Sequence, residues 1–142
     1  MKDFLFGAAT AATQIEGGFN QDGKSLSVWD DYSARGLIFN KQTCYFACDS
    51  YNRLEEDLAL IKELGLTSYR FSLSWTRIQP TGRGAVNQKG IDYYNKLIDG
   101  LLAIGVKPFV TLFHWDLPLE LEKIGGFSNR SIVERFAEYG QI

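Results

Sequence analysis

The sequence is poor in the residues that build metal and redox sites. It holds one histidine, His114, and two cysteines, Cys44 and Cys48, which stand well away from it. A structural zinc site needs about four closely spaced ligands of these types, so the shortage excludes one and no metal is expected. Long apolar runs are missing as well. The most hydrophobic stretch, Leu101 to Phe113, is broken by Gly105, Lys107 and Pro108 and falls far short of the ~20 residues of a spanning helix. At the start, Met1-Lys2-Asp3-Phe4-Leu5-Phe6 runs at once into Gly7 and the polar Thr10, Thr13 and Gln14. That leaves no room for the apolar centre of a secretory leader, and a cytoplasmic chain with two reduced thiols is expected. An excess of charge of one sign is also absent. Lys and Arg total 15 against 17 Asp and Glu, a net charge of -2, which draws neither nucleic acid nor an anionic membrane. Phosphate loops, dinucleotide fingerprints and nucleophile elbows do not occur, so no nucleotide cofactor is expected.

What is present is a globular composition: 142 residues, 45% hydrophobic, 14% aromatic and 23% charged. No repeat, low-complexity run or linker divides them, so residues 1–142 read as one domain or part of one. Phe4 to Thr10 is short and apolar and predicts a strand. From Gln14 to Asp49 the glycines are scattered and no period is sustained, which predicts a long irregular excursion. Leu54, Leu58, Ile61 and Leu64 then share one helical face until Gly65. Ser68 to Trp75 alternates strictly, with Tyr69, Phe71, Leu73 and Trp75 on one face and Ser68, Arg70, Ser72 and Ser74 on the other. Ile91, Tyr94, Leu97, Ile98, Leu101 and Leu102 mark a second helix, closed at Gly105. Val106 to Trp115 predicts a third strand. A loop with Pro118, Gly125 and Gly126 then leads through Ser128 or Asn129 as N-cap to a helix over Ser131 to Tyr139.

Strand and helix alternating three times imply right-handed crossovers and a parallel sheet. Three strands cannot close a barrel, and the pattern reads as about the first three units of an α/β fold of the (β/α)8 TIM-barrel type.

In such a barrel chemistry sits at the C-terminal ends of the strands. The first runs into Gln14-Ile15-Glu16, the second carries Arg70, and the third ends in His114-Trp115-Asp116. Amide, imidazole and indole suit a sugar, because the first two bind hydroxyls and an aromatic face packs on the C-H face of a pyranose. Arg70, opposite the apolar face, points into the barrel and needs an anion. That anion is either a cross-barrel salt-bridge partner or a catalytic carboxylate that Arg70 orients. His114 reads either as a satisfied core histidine or as a ligand contact, and the flanking Trp115 and Asp116 favour the contact. Trp29 and Trp75 read as packing residues, and Asp116 as the cap of a turn. Glu16, Asp30, Asp31 and Asp57 are acids by type, but none shows a matched partner for a two-carboxylate mechanism.

These residues carry a resemblance. Phe4-Leu5-Phe6-Gly7-Ala8-Ala9-Thr10-Ala11-Ala12-Thr13-Gln14-Ile15-Glu16-Gly17-Gly18 and Ser27-Val28-Trp29-Asp30 are similar to the N-terminal signature of family-1 glycoside hydrolases, the β-glucosidase family. Glu56 to Gly65, Tyr69 to Trp75 with Arg77-Ile78 and Pro80, and Val110 to Pro118 agree in order. The resemblance implies a TIM barrel and a retaining β-glycosidase acting on terminal β-D-glycosides, without metal or cofactor. It implies that Gln14 and His114 bind glycone hydroxyls, that Trp115 lines the same subsite, and that Arg70 sits beside the nucleophile. The family's acid/base lies in an Asn-Glu-Pro motif and its nucleophile in a Glu-Asn-Gly motif. Neither motif occurs in these 142 residues. The expectation is therefore an N-terminal portion with part of the glycone site and no catalytic pair, inactive alone. The alternative is a non-catalytic sugar-binding or interaction fragment. Departures from the family pattern at Thr13, Ser50, Asn52, Leu54 and Phe127 leave the fold expectation unchanged.

Overall fold

The structure is a computed structural model that describes residues 4–142. Three parallel strands, β1 (Gly7–Ala9), β2 (Ser68–Ser72) and β3 (Lys107–Thr111), form a sheet in chain order with β2 in the middle. The register sets Ala9 beside Arg70 and Arg70 beside Phe109, so all three C-terminal ends lie on one side. Between them run α1 (Ala12–Ile15), α2 (Val28–Ala34), α3 (Leu54–Glu63), α4 (Trp75–Ile78) and α5 (Gln88–Ala103), and after β3 come α6 (Leu119–Glu122) and α7 (Ile132–Tyr139).

The expected periodicities place the long helices. α3 buries Ile61 and packs Leu54 and Leu58 on the core, then ends where Gly65, at φ 66°, takes the left-handed conformation that side-chain-bearing residues resist. α5 buries Tyr93, Tyr94, Leu97 and Leu101 along one face. Together with Tyr69 and Phe71 of β2, these residues form a core that Trp75 completes by stacking on Tyr139 at 4.7 Å between ring centroids. Burying each such side chain contributes about 1.5–3 kcal/mol.

The expected strands were too long. The first pairs only over Gly7–Ala9, although Phe6 O and Thr10 N extend its bonding to β2 by a residue on either side. The second stops at Ser72, because Ser74 turns the chain into α4. Alternation still put Trp75 on the correct face, and the turn buries it completely. The third stops at Thr111, and Trp115 at φ 72° ends any extended run. The stretch from Gln14 to Asp49 is less irregular than expected, for it contains α1, α2 and a 3-10 turn at Phe39–Lys41. A capping box starts α2: the Ser27 hydroxyl accepts from Asp30 N, while the Asp30 carboxylate accepts from Ser27 N. At α7 the N-cap position is Ser131, later than expected, yet the Asn129 side chain accepts from Ser131 N at 3.0 Å.

The free edges of β1 and β3 carry exposed apolar residues, Phe4 and Phe6 on one side and Phe109, Val110 and Leu112 on the other. In a (β/α)8 barrel these edges are where further strands pair. No helix among the described residues is long and apolar enough to cross a membrane.

Candidate functional site

The chain reaches the same region three times. After β1 the single turn α1 carries Gln14 outward, in the middle of β2 stands Arg70, and after β3 come His114 and Trp115. Gln14, His114 and Trp115 line one cavity of about 360 Å³, with Trp29, Thr43 and Cys44 on its other walls. Arg70 joins from below, its Nη1 lying 3.4 Å from His114 Nδ1 and donating to the Thr10 carbonyl at 3.3 Å. A guanidinium has no acceptor, so this contact requires an unprotonated Nδ1 and leaves Nε2 as the imidazole's donor. Trp115 is 70% exposed and held at φ 72°, a conformation that a bulky residue adopts at a cost of order 1–3 kcal/mol.

Among the described residues no carboxylate lies within salt-bridge distance of Arg70. Of the two anions left open by the sequence, a cross-sheet partner is therefore not found there. The second arginine of this strand end does have one. Arg77, in α4, is wholly buried; its Nε donates to Glu16 Oε2 at 3.0 Å and its Nη2 to the Gly17 carbonyl at 3.3 Å. The Tyr94 hydroxyl donates to Glu16 Oε1 at 2.6 Å and accepts from Ser74 N at 2.7 Å. Burial, then the neighbouring Glu16 charge, pushes the Tyr94 phenol well above its ordinary range and keeps it a donor. The Arg77 guanidinium also lies 3.8 Å over the Tyr51 ring.

This accounts for the acids singled out by type. Glu16 is consumed by the buried pair, Asp30 by Lys24 at 3.0 Å and the α2 cap, and Asp31 by Arg35 at 3.2 Å. Asp57 is half-buried on α3, away from the cavity. Asp116 corrects its reading as a turn cap. It is 2% exposed, neither carboxylate oxygen has a hydrogen-bond partner among the described residues, and burial pushes its pKa up to about 7. Trp75 packs in the core, whereas Trp29, also read as packing, lines the cavity beside Trp115. The 42–44 wall gave no sequence signal, since it lies in the aperiodic stretch. Cys44 and Cys48 are free thiols. Among the described residues no three His, Cys, Asp or Glu gather closely enough to hold a metal.

A larger hollow of about 660 Å³ lies outside the sheet, between the start of α3 and α5. Four of its charged residues are paired, Lys89 with Asp22 at 2.7 Å and Arg53 with Glu56 at 2.6 Å, and it holds none of the strand-end residues. The smaller cavity is the candidate site. Its amide, imidazole and indole can bind the hydroxyls and apolar face of a sugar ring, but it contains no pair of unengaged carboxylates.

Known proteins resemble this arrangement closely. The model of glycosyl hydrolase family 1 matches residues 1–142. Beta-glucosidase A of Acetivibrio thermocellus is 51% identical over 142 residues, 99% of this chain and 32% of that protein. The cytosolic beta-glucosidase of Homo sapiens is 55% identical over 98% of this chain and 30% of its own length. The chain thus spans about a third of the length of the relatives it matches. A family 1 beta-glucosidase structure from Thermotoga maritima superimposes with a TM-score of 0.97 at 51% identity, covering 99% of this chain and 33% of that one. Another, in complex with deoxynojirimycin, superimposes with a TM-score of 0.95 at 52% identity over 97% and 32% of the two chains. The three β/α units described above are those of a TIM barrel.

Proposed function

The chain belongs to glycosyl hydrolase family 1, and on that footing we propose that the protein carrying these residues hydrolyses terminal β-D-glycosides with retention of configuration. The observation that carries this reading is the single cavity formed by Gln14, His114 and Trp115 above Arg70. In this reading Gln14 and His114 Nε2 bind glycone hydroxyls, Trp115 lines the same subsite, and Arg70 sits beside the nucleophile. A guanidinium without a carboxylate favours the ionised form of an acid placed next to it.

Retention uses two carboxyl groups ~5 Å apart. One attacks the anomeric carbon while the other protonates the departing oxygen. The second group then takes a proton from water, whose oxygen breaks the glycosyl–enzyme bond, and both carboxyls return to their starting states. Residues 1–142 supply no such pair: Glu16, Asp30 and Asp31 are engaged by Arg77, Lys24 and Arg35, Asp116 is a single buried acid, and the Asn-Glu-Pro and Glu-Asn-Gly motifs do not occur in them. These residues therefore supply sugar binding and a positive charge, and the 142-residue polypeptide by itself turns nothing over. The substrate is a small β-glycoside or oligosaccharide. The cytoplasm is the proposed location, in keeping with the name of the human relative.

The test is turnover of an aryl β-glucoside, with the product anomer followed by NMR. The complete translated chain is expected to release the β-anomer first, and Arg70→Met to lose most of that rate. Release of the α-anomer first, or turnover by purified residues 1–142 free of host enzymes, would overturn the reading.

A further inference from the structure

The element that presents Gln14 is only one turn long. A four-residue helix has no stability of its own, and α1 has no side-chain cap at Ala11. Both of its ends are instead held by side chains from the end of β2 and from the helices behind it. At the start, Ala12 N donates to Ser72 Oγ at 2.8 Å. At the finish, Glu16 closes the turn through its backbone N, which donates to the Ala12 carbonyl at 2.9 Å. Its side chain is fixed by Arg77 at 3.0 Å and by Tyr94 at 2.6 Å. Gly17 follows at φ 64°, packed so closely that a Cβ there would run into the Phe46 carbonyl. Gln14 itself stays exposed and faces the cavity.

We propose that Glu16, with Arg77 and Tyr94 at one end and Ser72 at the other, is a positioning device that fixes Gln14 for the sugar. None of these residues lines the cavity; they act through the short helix. Arg77 and Glu16 are both buried, which makes their ion pair stronger than one in water, and the guanidinium carbon lies 3.8 Å over the Tyr51 ring. An amide must hold its angle to a hydroxyl to bind it well, and a frayed turn would not keep that angle.

The proposal rests on Gln14 being a sugar contact, and the experiment separates the two. Binding of deoxynojirimycin to the complete translated chain is measured by calorimetry for Tyr94→Phe, Gln14→Ala and the double variant. Tyr94→Phe removes one hydroxyl and is expected to weaken binding about 5-fold, the scale of one hydrogen bond. In the Gln14→Ala background the same change is expected to move affinity less than about 2-fold, because the two residues act as one. Ser72→Ala, at the opposite end of α1, is expected to repeat the pattern and carries the test alone if Tyr94→Phe does not fold. A merely structural role would lower stability without making the effect depend on Gln14. Equal losses in both backgrounds, or no loss from either variant, would overturn the proposal. No loss from Gln14→Ala itself would instead overturn the sugar-contact reading, and the proposal with it.

Discussion

Arg70, in the middle of β2, and Arg77, in the α4 turn that follows it, meet opposite surroundings. Arg77 is sealed between α1, α4 and α5, bonded to Glu16 and stacked on Tyr51, with no exposure to solvent. Arg70 is half-buried on the other side of the sheet, and among the described residues its hydrogen-bond contacts are the Thr10 carbonyl and His114. One guanidinium therefore belongs to the structure, and the other has no carboxylate within salt-bridge distance among the described residues. The strand's period of two puts Arg70 into the barrel, while the α4 turn swings Arg77 out toward the helices.

Removing each charge should have opposite consequences for stability and binding. Arg77→Met leaves Glu16 buried without its cation and is expected to cost about 3–5 kcal/mol, read as a lower urea midpoint of the complete chain. Arg70→Met is expected to cost less than about 1 kcal/mol while abolishing deoxynojirimycin binding. Equal losses would erase the distinction.

Asp116 is a third case, a buried acid with no salt-bridge partner among the described residues. An unfolded aspartate titrates near 3.9, and in the folded protein the group titrates at about 7. Between those values the folded state binds the extra proton, so stability falls as pH rises from about 4 to about 7 and levels off above. The fall is expected to be on the order of 4 kcal/mol. Asp116→Asn should flatten it, and an unchanged slope in denaturation measured across that range would refute the assignment.

On the open side, His114→Ala is expected to weaken deoxynojirimycin about 10-fold with little change in the urea midpoint. The smallest effect belongs to the backbone. Trp115→Asn should raise stability by up to about 1 kcal/mol, since asparagine adopts positive φ more readily, while weakening the ligand.

Much of the fold was legible because its signals are periodic. The faces of α3 and α5 and the alternation of β2 gave the three units and the inward side of Arg70, and strand-end logic collected Gln14, His114 and Trp115. Strand lengths were not legible, because Trp75 is equally well buried by one more strand residue or by a tight turn. The α2 capping box was readable in Ser27 and Asp30 but was hidden in an aperiodic stretch. The Glu16–Arg77 pair had no local signal, since its members lie 61 residues apart. Asp116 looked like a turn residue because spacing says nothing of burial. Trp29 reaches the cavity through the path of α2, which no pattern in its own segment reports.

On the proposed function, the strand ends around Arg70 form the sugar side of a glycosidase site. The most direct measurement is a crystal structure of the complete translated chain with deoxynojirimycin bound. The account predicts the ring in the cavity of about 360 Å³, within hydrogen-bonding distance of Gln14 and His114 Nε2 and against Trp115. A ring seated instead in the charged hollow between α3 and α5, with the strand-end cavity empty, would contradict it.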